Sequence, residues 1–282
     1  MKIRLTILCE NSVERVSPAG LLGEHGFSCH LQTEQGDYLF DTGAGQTILL
    51  NSDKLNIDLT KLQGIFLSHG HLDHTGGLRQ VLERTGPIPI FGHPDIFQIR
   101  HSRNGNQLRA IGIPWHKEQL ETLGAIFHLD RSPQQVGTQL TLSGEVPRCN
   151  EFETGDPHLI ILDEQGKEIP DPLADDLSLF IDSPNGLILL LGCAHAGVLN
   201  IIEHARKVTG QDKICMLIGG THLKFSNTEQ LEATLDRLEE LNIAKIGVSH
   251  CTGLRQAQQL ADRFGERFFN ASVGQKIVVD NL

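Results

Sequence analysis

Four short apolar segments of this chain end in histidine: Ile65-Phe66-Leu67-Ser68 runs into His69-Gly70-His71, Leu187–Gly192 into Cys193-Ala194-His195, Met216–Thr221 into His222, and Lys245–Ser249 into His250. Short apolar runs bounded by glycine and polar residues are the pattern of buried strands, and open α/β sheets present their functional groups where strands end. One such ending could arise by chance. Four of them direct histidines from distant parts of the chain to one edge of a sheet, so an α/β fold with its chemistry at that edge is expected.

The rest of the pattern fills in this frame. KIRLTILC, FSCHLQT and YLFDTG, with a turn at Gln35-Gly36-Asp37, read as an antiparallel meander. GQTILLNSDKL and GGLRQVLERT have helical character, with the strands Ile65–Ser68 and Ile88–Phe91 following them. Between His93 and Asp175 the pattern weakens, with several prolines and only AIFHL, TQLTL and HLIILD as strand candidates, so residues 93–175 are expected to form an insertion or lid over the site. The second half recovers a rhythm: LSLFID, the turn Pro184-Asn185-Gly186, LILLLG, the helix VLNIIEHARKVTG, ICMLIGG, the helix NTEQLEATLDRLEELN, AKIGVSH, the helix QAQQLADRF, and QKIVVD. Two halves that each open with paired strands imply an αββα sandwich, two mixed sheets face to face with helices outside. A chain of 282 residues fits one such domain, residues 1–282.

The densest feature is Ser68-His69-Gly70-His71-Leu72-Asp73-His74-Thr75-Gly76-Gly77, which puts three imidazoles and a carboxylate into six residues directly after an apolar strand. Imidazole and carboxylate suit zinc, iron or manganese, and a turn can aim all of them at one region. His69 and His71 would hold one metal, Asp73 and His74 would face a second, and Gly76 and Gly77 would let the next helix start close by. One or two divalent ions are expected, zinc first, with iron or manganese as alternatives.

Composition narrows the partners. A formal net charge of −11 without a Lys/Arg stripe lacks the footprint of a nucleic-acid binder. The opening MKIRLTILCENSVERV has no signal-type apolar region, and no later run approaches the roughly 18 apolar residues of a membrane span, so neither export nor membrane insertion is expected. Six cysteines without a CxxC pair fit free thiols in a reducing cytoplasm. Homo-oligomerisation stays open.

HGHLDH, with Phe40-Asp41-Thr42-Gly43 upstream, resembles the signature of the metallo-β-lactamase superfamily. Glu24-His25-Gly26-Phe27-Ser28, Gly144-Glu145-Val146-Pro147-Arg148, Gly192-Cys193-Ala194-His195-Ala196-Gly197, Gly219-Gly220-Thr221-His222-Leu223 and Ser249-His250-Cys251-Thr252-Gly253 extend the resemblance to its dihydropterin-ribofuranosylaminobenzene-phosphate synthase-like members. The resemblance implies the metallo-β-lactamase fold, with Asp41 behind the metal site as acceptor for a ligand histidine. It implies His250 as the last metal ligand. His195 is then expected to complete the His69 and His71 site, and His250 that of Asp73 and His74. A core or helix-capping histidine is the plainer alternative for both.

His222 could be a ligand or a substrate-facing acid or base. In the wider superfamily a Gly-Asp usually bridges two metals, whereas Gly192-Cys193 stands here. Cys193 is either a thiolate ligand or, as free cysteines more often are, a small residue turned into the core. Arg100, His101, Arg103, Arg109 and Lys117 form a positive cluster that could receive anionic groups, with a solvated face as the alternative. Arg103 and Arg148 are the candidates for substrate binding.

Two enzymatic readings follow. In a hydrolase, metal-activated water, oriented by Asp73, attacks a small anionic substrate, with His222 as acid or base. In a transferase like the resembled family, a dihydropterin methyl diphosphate releases diphosphate while the nitrogen of an arylamine phosphate takes the carbon. A non-catalytic or redox module on the same fold is a third reading, but its flavodiiron form brings a flavin domain for which this sequence has no segment.

Overall fold

The computed structural model describes residues 3–279. The outer ends of two expected strands, at Lys2 and Asp280, lie outside them. Two seven-stranded sheets are present. The first runs, in spatial order, Lys276–Val278, Arg4–Cys9, Ser28–Thr33, Gly36–Phe40, Leu62–Phe66, Ile88–Gly92 and Ala125–Leu129. The second runs Phe268–Asn270, Lys245–Ser249, Ile214–Gly220, Leu187–Leu191, Ser178–Ile181, Leu140–Leu142 and Gln134–Val136. Each is mixed. Gly36–Phe40, Leu62–Phe66, Ile88–Gly92 and Ala125–Leu129 are parallel neighbours in the first sheet, as are Leu187–Leu191, Ile214–Gly220, Lys245–Ser249 and Phe268–Asn270 in the second.

The strands read as continuous apolar runs because both of their faces are covered. In LILLL, Ile188 and Leu190 point between the sheets, where they meet Leu5, Ile7, Phe40 and Phe66. Leu187, Leu189 and Leu191 point the other way, onto Leu199 and Ile202 of the helix Val198–Thr209. The first sheet likewise packs Leu39, Ile65 and Ile90 against Ile48, Val81 and Leu82 of the helices Ile48–Lys54 and Leu78–Thr85. The period-two alternation of strand side chains thus builds four layers, αββα. No helix of the described residues is long and apolar enough to cross a membrane.

Residues 93–175, expected to stand over the site, divide. Ala125–Leu129, Gln134–Val136 and Leu140–Leu142 pair into the two main sheets. A third sheet of four strands, Glu168–Pro170, Leu159–Leu162, Arg100–Asn104 and Gln107–Ala110, stands apart. It leans on the histidine-rich loop: Leu72 N donates to Ile111 O at 2.7 Å, and His71 bridges to Gly112.

One buried ion pair fixes that contact. Arg100 donates Nε to Asp171 Oδ2 and both Nη atoms to Asp175, all at 2.7 Å. Asp175 Oδ2 also accepts Gly70 N, at 2.8 Å, from within the histidine motif. The expectation that Arg100 belongs to an anion-receiving cluster is therefore corrected: its guanidinium is buried and fully engaged with two carboxylates. Removing one partner of a buried pair strands the other charge, at about 3–5 kcal/mol. Arg100→Leu is accordingly expected to lower the stability of the metal-free protein by that amount in urea denaturation. An unchanged denaturation midpoint would show that the ion pair does not hold the third sheet to the loop.

Candidate metal centre

The C-terminal ends of the parallel strands lie on one edge, and they deliver the site. Asp41 follows Gly36–Phe40, the motif from Ser68 follows Leu62–Phe66, Cys193 and His195 follow Leu187–Leu191, and His250 follows Lys245–Ser249. The chain must turn sharply there to aim side chains inward. Asp41, Ala194, His222 and His250 have φ of 58°, 58°, 54° and 50°, left-handed backbone that non-glycine residues adopt at about 1–3 kcal/mol each. They make up four of the seven such residues among those described. The approach of the loops is close: a Cβ on Gly77 would lie 2.3 Å from Thr42 O, so only glycine lets the motif pack against the Asp41 loop.

His69, His71 and His195 converge. His69 Nε2 is 3.0 Å from His71 Nδ1, and the His195 ring centroid lies 4.9 and 5.0 Å from theirs. Facing nitrogens of the three fall within 4.8 Å of one another, a set that could hold a metal ion. Burial, with the neighbouring imidazoles, pushes His69 and His195 well below the ordinary histidine range, and burial takes His71 down to about 3. All three are neutral at pH 7, the form that donates a lone pair to a metal. Within the protein, His71 Nε2 and both ring nitrogens of His195 are buried without a hydrogen-bond partner. A buried imidazole nitrogen costs free energy unless something satisfies it, and a divalent ion among the three rings would satisfy one on His195.

A second group surrounds His74. Asp41 Oδ2 accepts His74 Nδ1 at 2.7 Å and Ser68 Oγ at 2.6 Å, while Oδ1 accepts Ser68 N at 2.8 Å. This leaves His74 Nε2 facing the cluster, where Cys193 Sγ lies 3.2 Å away. His69, His74 and Cys193 form another set with ligand atoms within 4.8 Å. The expectation that Cys193 turns into the core is corrected: Ala194 adopts the left-handed turn, and the thiol stays on the histidine side. Burial alone would lower His74, but the Asp41 carboxylate outweighs it and lifts the imidazole to about 9. Burial pushes the Cys193 thiol well up.

Asp73 belongs to a third set. His250 Nε2 and His25 Nε2 both stand 3.2 Å from its Oδ2. Burial would raise this carboxyl, but the hydrogen bonds from His25 and His250 hold it well below the usual range. His250 is fixed through its backbone N, which donates to Glu10 Oε1 at 2.8 Å, and through Nδ1, 2.9 Å from Asn11 Oδ1. Its ring also lies 5.1 Å from that of His74. Asp73 and His250 therefore meet as expected of one position, whereas the facing atoms of His74 are shared with His69 and Cys193.

His222 stands outside these sets. Its ring is tilted against His195, at 4.3 Å, and stacked on Phe225, at 4.6 Å, and burial lowers it to about 4. It lines a cleft of about 590 Å³ whose floor includes His71, Asp73, His195 and His250 and whose wall includes Arg103, Arg109 and Lys224. Arg103 is paired with Glu168, while Arg109 has no ion-pair partner among the described residues. Arg148 does not line this cleft; its guanidinium donates to the carbonyls of Glu153 and Pro172. Lys117 pairs with Glu121, away from the histidines.

This fold, with strand-end histidines on one edge, marks a known class of protein. The chain belongs to the metallo-beta-lactamase superfamily, whose family model matches residues 26–250. It is 31% identical to 7,8-dihydropterin-6-methyl-4-(beta-D-ribofuranosyl)-aminobenzene-5'-phosphate synthase of Methanocaldococcus jannaschii over 98% of this chain and 96% of that one. A crystal structure of a metal-dependent hydrolase of the beta-lactamase superfamily matches at a TM-score of 0.81 and 25% identity, covering 98% of each chain. The metallo-beta-lactamase fold protein YhfI from Bacillus subtilis shares the fold at a TM-score of 0.57 and 13% identity, over 99% of this chain and 100% of that one.

The Asp41 contacts give a test. Loss of a carboxylate behind a ligand histidine typically lowers metal affinity ~10–100-fold, and Asp41→Asn is expected to do so in competition with a chromophoric chelator. A proton on His74 competes with metal until the pH passes about 9, so affinity should rise with pH up to that point. In the variant, where burial of His74 is no longer outweighed by the Asp41 charge, its share of the rise should end at a clearly lower pH. Identical pH profiles would show that Asp41 does not set the basicity of His74.

Proposed function

We propose that the chain is a metal-dependent hydrolase acting on a small anionic substrate. The observation that carries this reading is the cleft: unpaired imidazole nitrogens on its floor, cations on its wall and room for a small molecule. One metal would be held by His69, His71 and His195, and a second by residues from the set His74, Asp73, His250 and Cys193. A bound divalent ion supplies an activated water and Lewis acidity toward a carbonyl or phosphoryl oxygen.

The chain's own residues do the rest. Arg109 and Lys224 receive the anionic group of the substrate, Arg109 with its guanidinium uncommitted to any carboxylate of the described residues. Asp73, ionised and steadied by two imidazoles, orients the attacking water and accepts a hydrogen bond from it. His222, neutral at pH 7, faces the same cleft and presents an imidazole to the substrate. Phe225, stacked on the His222 ring, gives that side of the cleft an apolar surface.

The likeness to a synthase across nearly the whole chain supports a second reading, transfer with release of an anionic leaving group such as diphosphate. The two share the metals and the anion-binding wall and differ in whether water or an amine attacks. Metal-loaded protein should be assayed with phosphodiesters, thioesters and lactones, and separately with a dihydropterin methyl diphosphate plus an arylamine ribose phosphate. Hydrolysis in the first panel supports the hydrolase; amine-dependent diphosphate release supports the transferase. On whichever substrate is turned over, Arg109→Ala is expected to raise KM about tenfold, the order of one charged hydrogen bond, with a smaller change in kcat. An unchanged KM would remove Arg109 from substrate binding.

A further inference from the structure

Cys193 sits where a side chain has to reach the histidine cluster. Gly192, just before it, is pressed onto the Asp41 and Ser68 network so closely that a Cβ there would lie 2.2 Å from Ser68 Oγ and 3.3 Å from Asp41 Oδ2. With the preceding residue packed so closely, the Cys193 side chain stands over His74 Nε2, at 3.2 Å. Asp41 already holds Nδ1 of that ring, so Nε2 is the nitrogen turned to the sulfur. On a tetrahedral zinc ion, nitrogen at about 2.0–2.1 Å and sulfur at about 2.3 Å stand roughly 3.5 Å apart, close to the separation observed. Cys251 cannot take the same part, because its Sγ donates to Cys193 O at 3.5 Å and accepts His222 N at 3.3 Å.

The charge balance leads the same way. His69, His71 and His195 bring no negative charge to the centre, and Asp73 brings one. Two dications in so buried a cluster require more anionic compensation than Asp73 and the Asp41 carboxylate behind His74 give. A thiol between His69 and His74, deprotonated by the metal it binds, supplies it without a further carboxylate. The ring nitrogens of His195, nine-tenths or more buried and without a hydrogen-bond partner, mark the adjoining space as ligand-directed.

We propose that Cys193 is a metal ligand, its thiolate joining His74 at the metal beside the one held by His69 and making the centre one of mixed nitrogen, oxygen and sulfur donors. The inference rests on the reading that these histidines bind metal. A sulfur donor biases the centre toward zinc or iron and away from magnesium or manganese.

The test is spectroscopic. Whole protein is loaded with zinc for X-ray absorption and with cobalt(II) for optical spectra, and bound metal is counted in each case. The expected result is a sulfur shell at about 2.3 Å and a near-ultraviolet sulfur-to-cobalt charge-transfer band. Both should vanish in Cys193→Ala and Cys193→Asp and persist in Cys251→Ser. The alanine variant should also lose affinity for the metal at His74 by more than the ~10–100-fold that loss of a partner behind a ligand costs. Wild-type protein that binds metal with nitrogen and oxygen neighbours only would overturn the assignment and leave the metal-enzyme reading standing. Wild-type protein that binds no metal would overturn both. Because the wild-type spectra decide the matter, a variant that fails to fold does not shield the proposal.

Discussion

The carboxylate of Asp41 is the contact on which the site depends. It is buried, sits on left-handed backbone, and accepts from Ser68 N, Ser68 Oγ and His74 Nδ1 at once. These bonds tie the end of one parallel strand to the loop that follows its neighbour. They also settle which nitrogen of His74 looks outward. A buried carboxylate without such donors would cost several kcal/mol, so the loop carrying His69, His71 and His74 is held in one conformation by the need to satisfy it. The strain of a left-handed aspartate is offset by those bonds.

Around that anchor the fold works as a delivery device. Parallel strands packed on both faces are rigid, and residues at their ends inherit that rigidity. Left-handed turns at Ala194 and His250 then redirect the chain at the edge, as Asp41 does. Glu10 and Asn11, at the end of Arg4–Cys9, hold His250 from behind, and the Arg100–Asp175 pair holds Gly70 from the side. Each histidine of the cluster thus has a packed strand or a buried charge pair behind it.

What the sequence revealed and what it hid follow one physical rule. Histidines that terminate apolar parallel strands are visible as a pattern, and His69, His195, His222 and His250 do reach one edge. Residues that precede an antiparallel strand arrive at the same edge from the opposite direction and carry no such mark. His25, just ahead of Ser28–Thr33, meets Asp73 in this way, and Asp175 and Asp176 stand just ahead of Ser178–Ile181. The strand Phe268–Asn270 and the hairpin Arg100–Asn104 with Gln107–Ala110 are short, and the hairpin's second strand is exposed throughout, so alternation could not disclose them. Arg100 read as one more surface cation because its partners Asp171 and Asp175 lie some seventy residues away in sequence. The direction of Cys193 depended on a backbone turn that composition does not encode.

In the proposed reading the two halves of the chain share one metal centre. Anomalous diffraction from crystals of the metal-loaded protein, collected on both sides of the zinc, iron and manganese edges, addresses it most directly. Anomalous density is expected among His69, His71 and His195, with a second peak bounded by His74, Asp73 and His250 and ligand nitrogens at about 2.0–2.1 Å if the metal is zinc. Metal bound elsewhere, or peaks coordinated by the HGHLDH loop without His195 or His250, would contradict it.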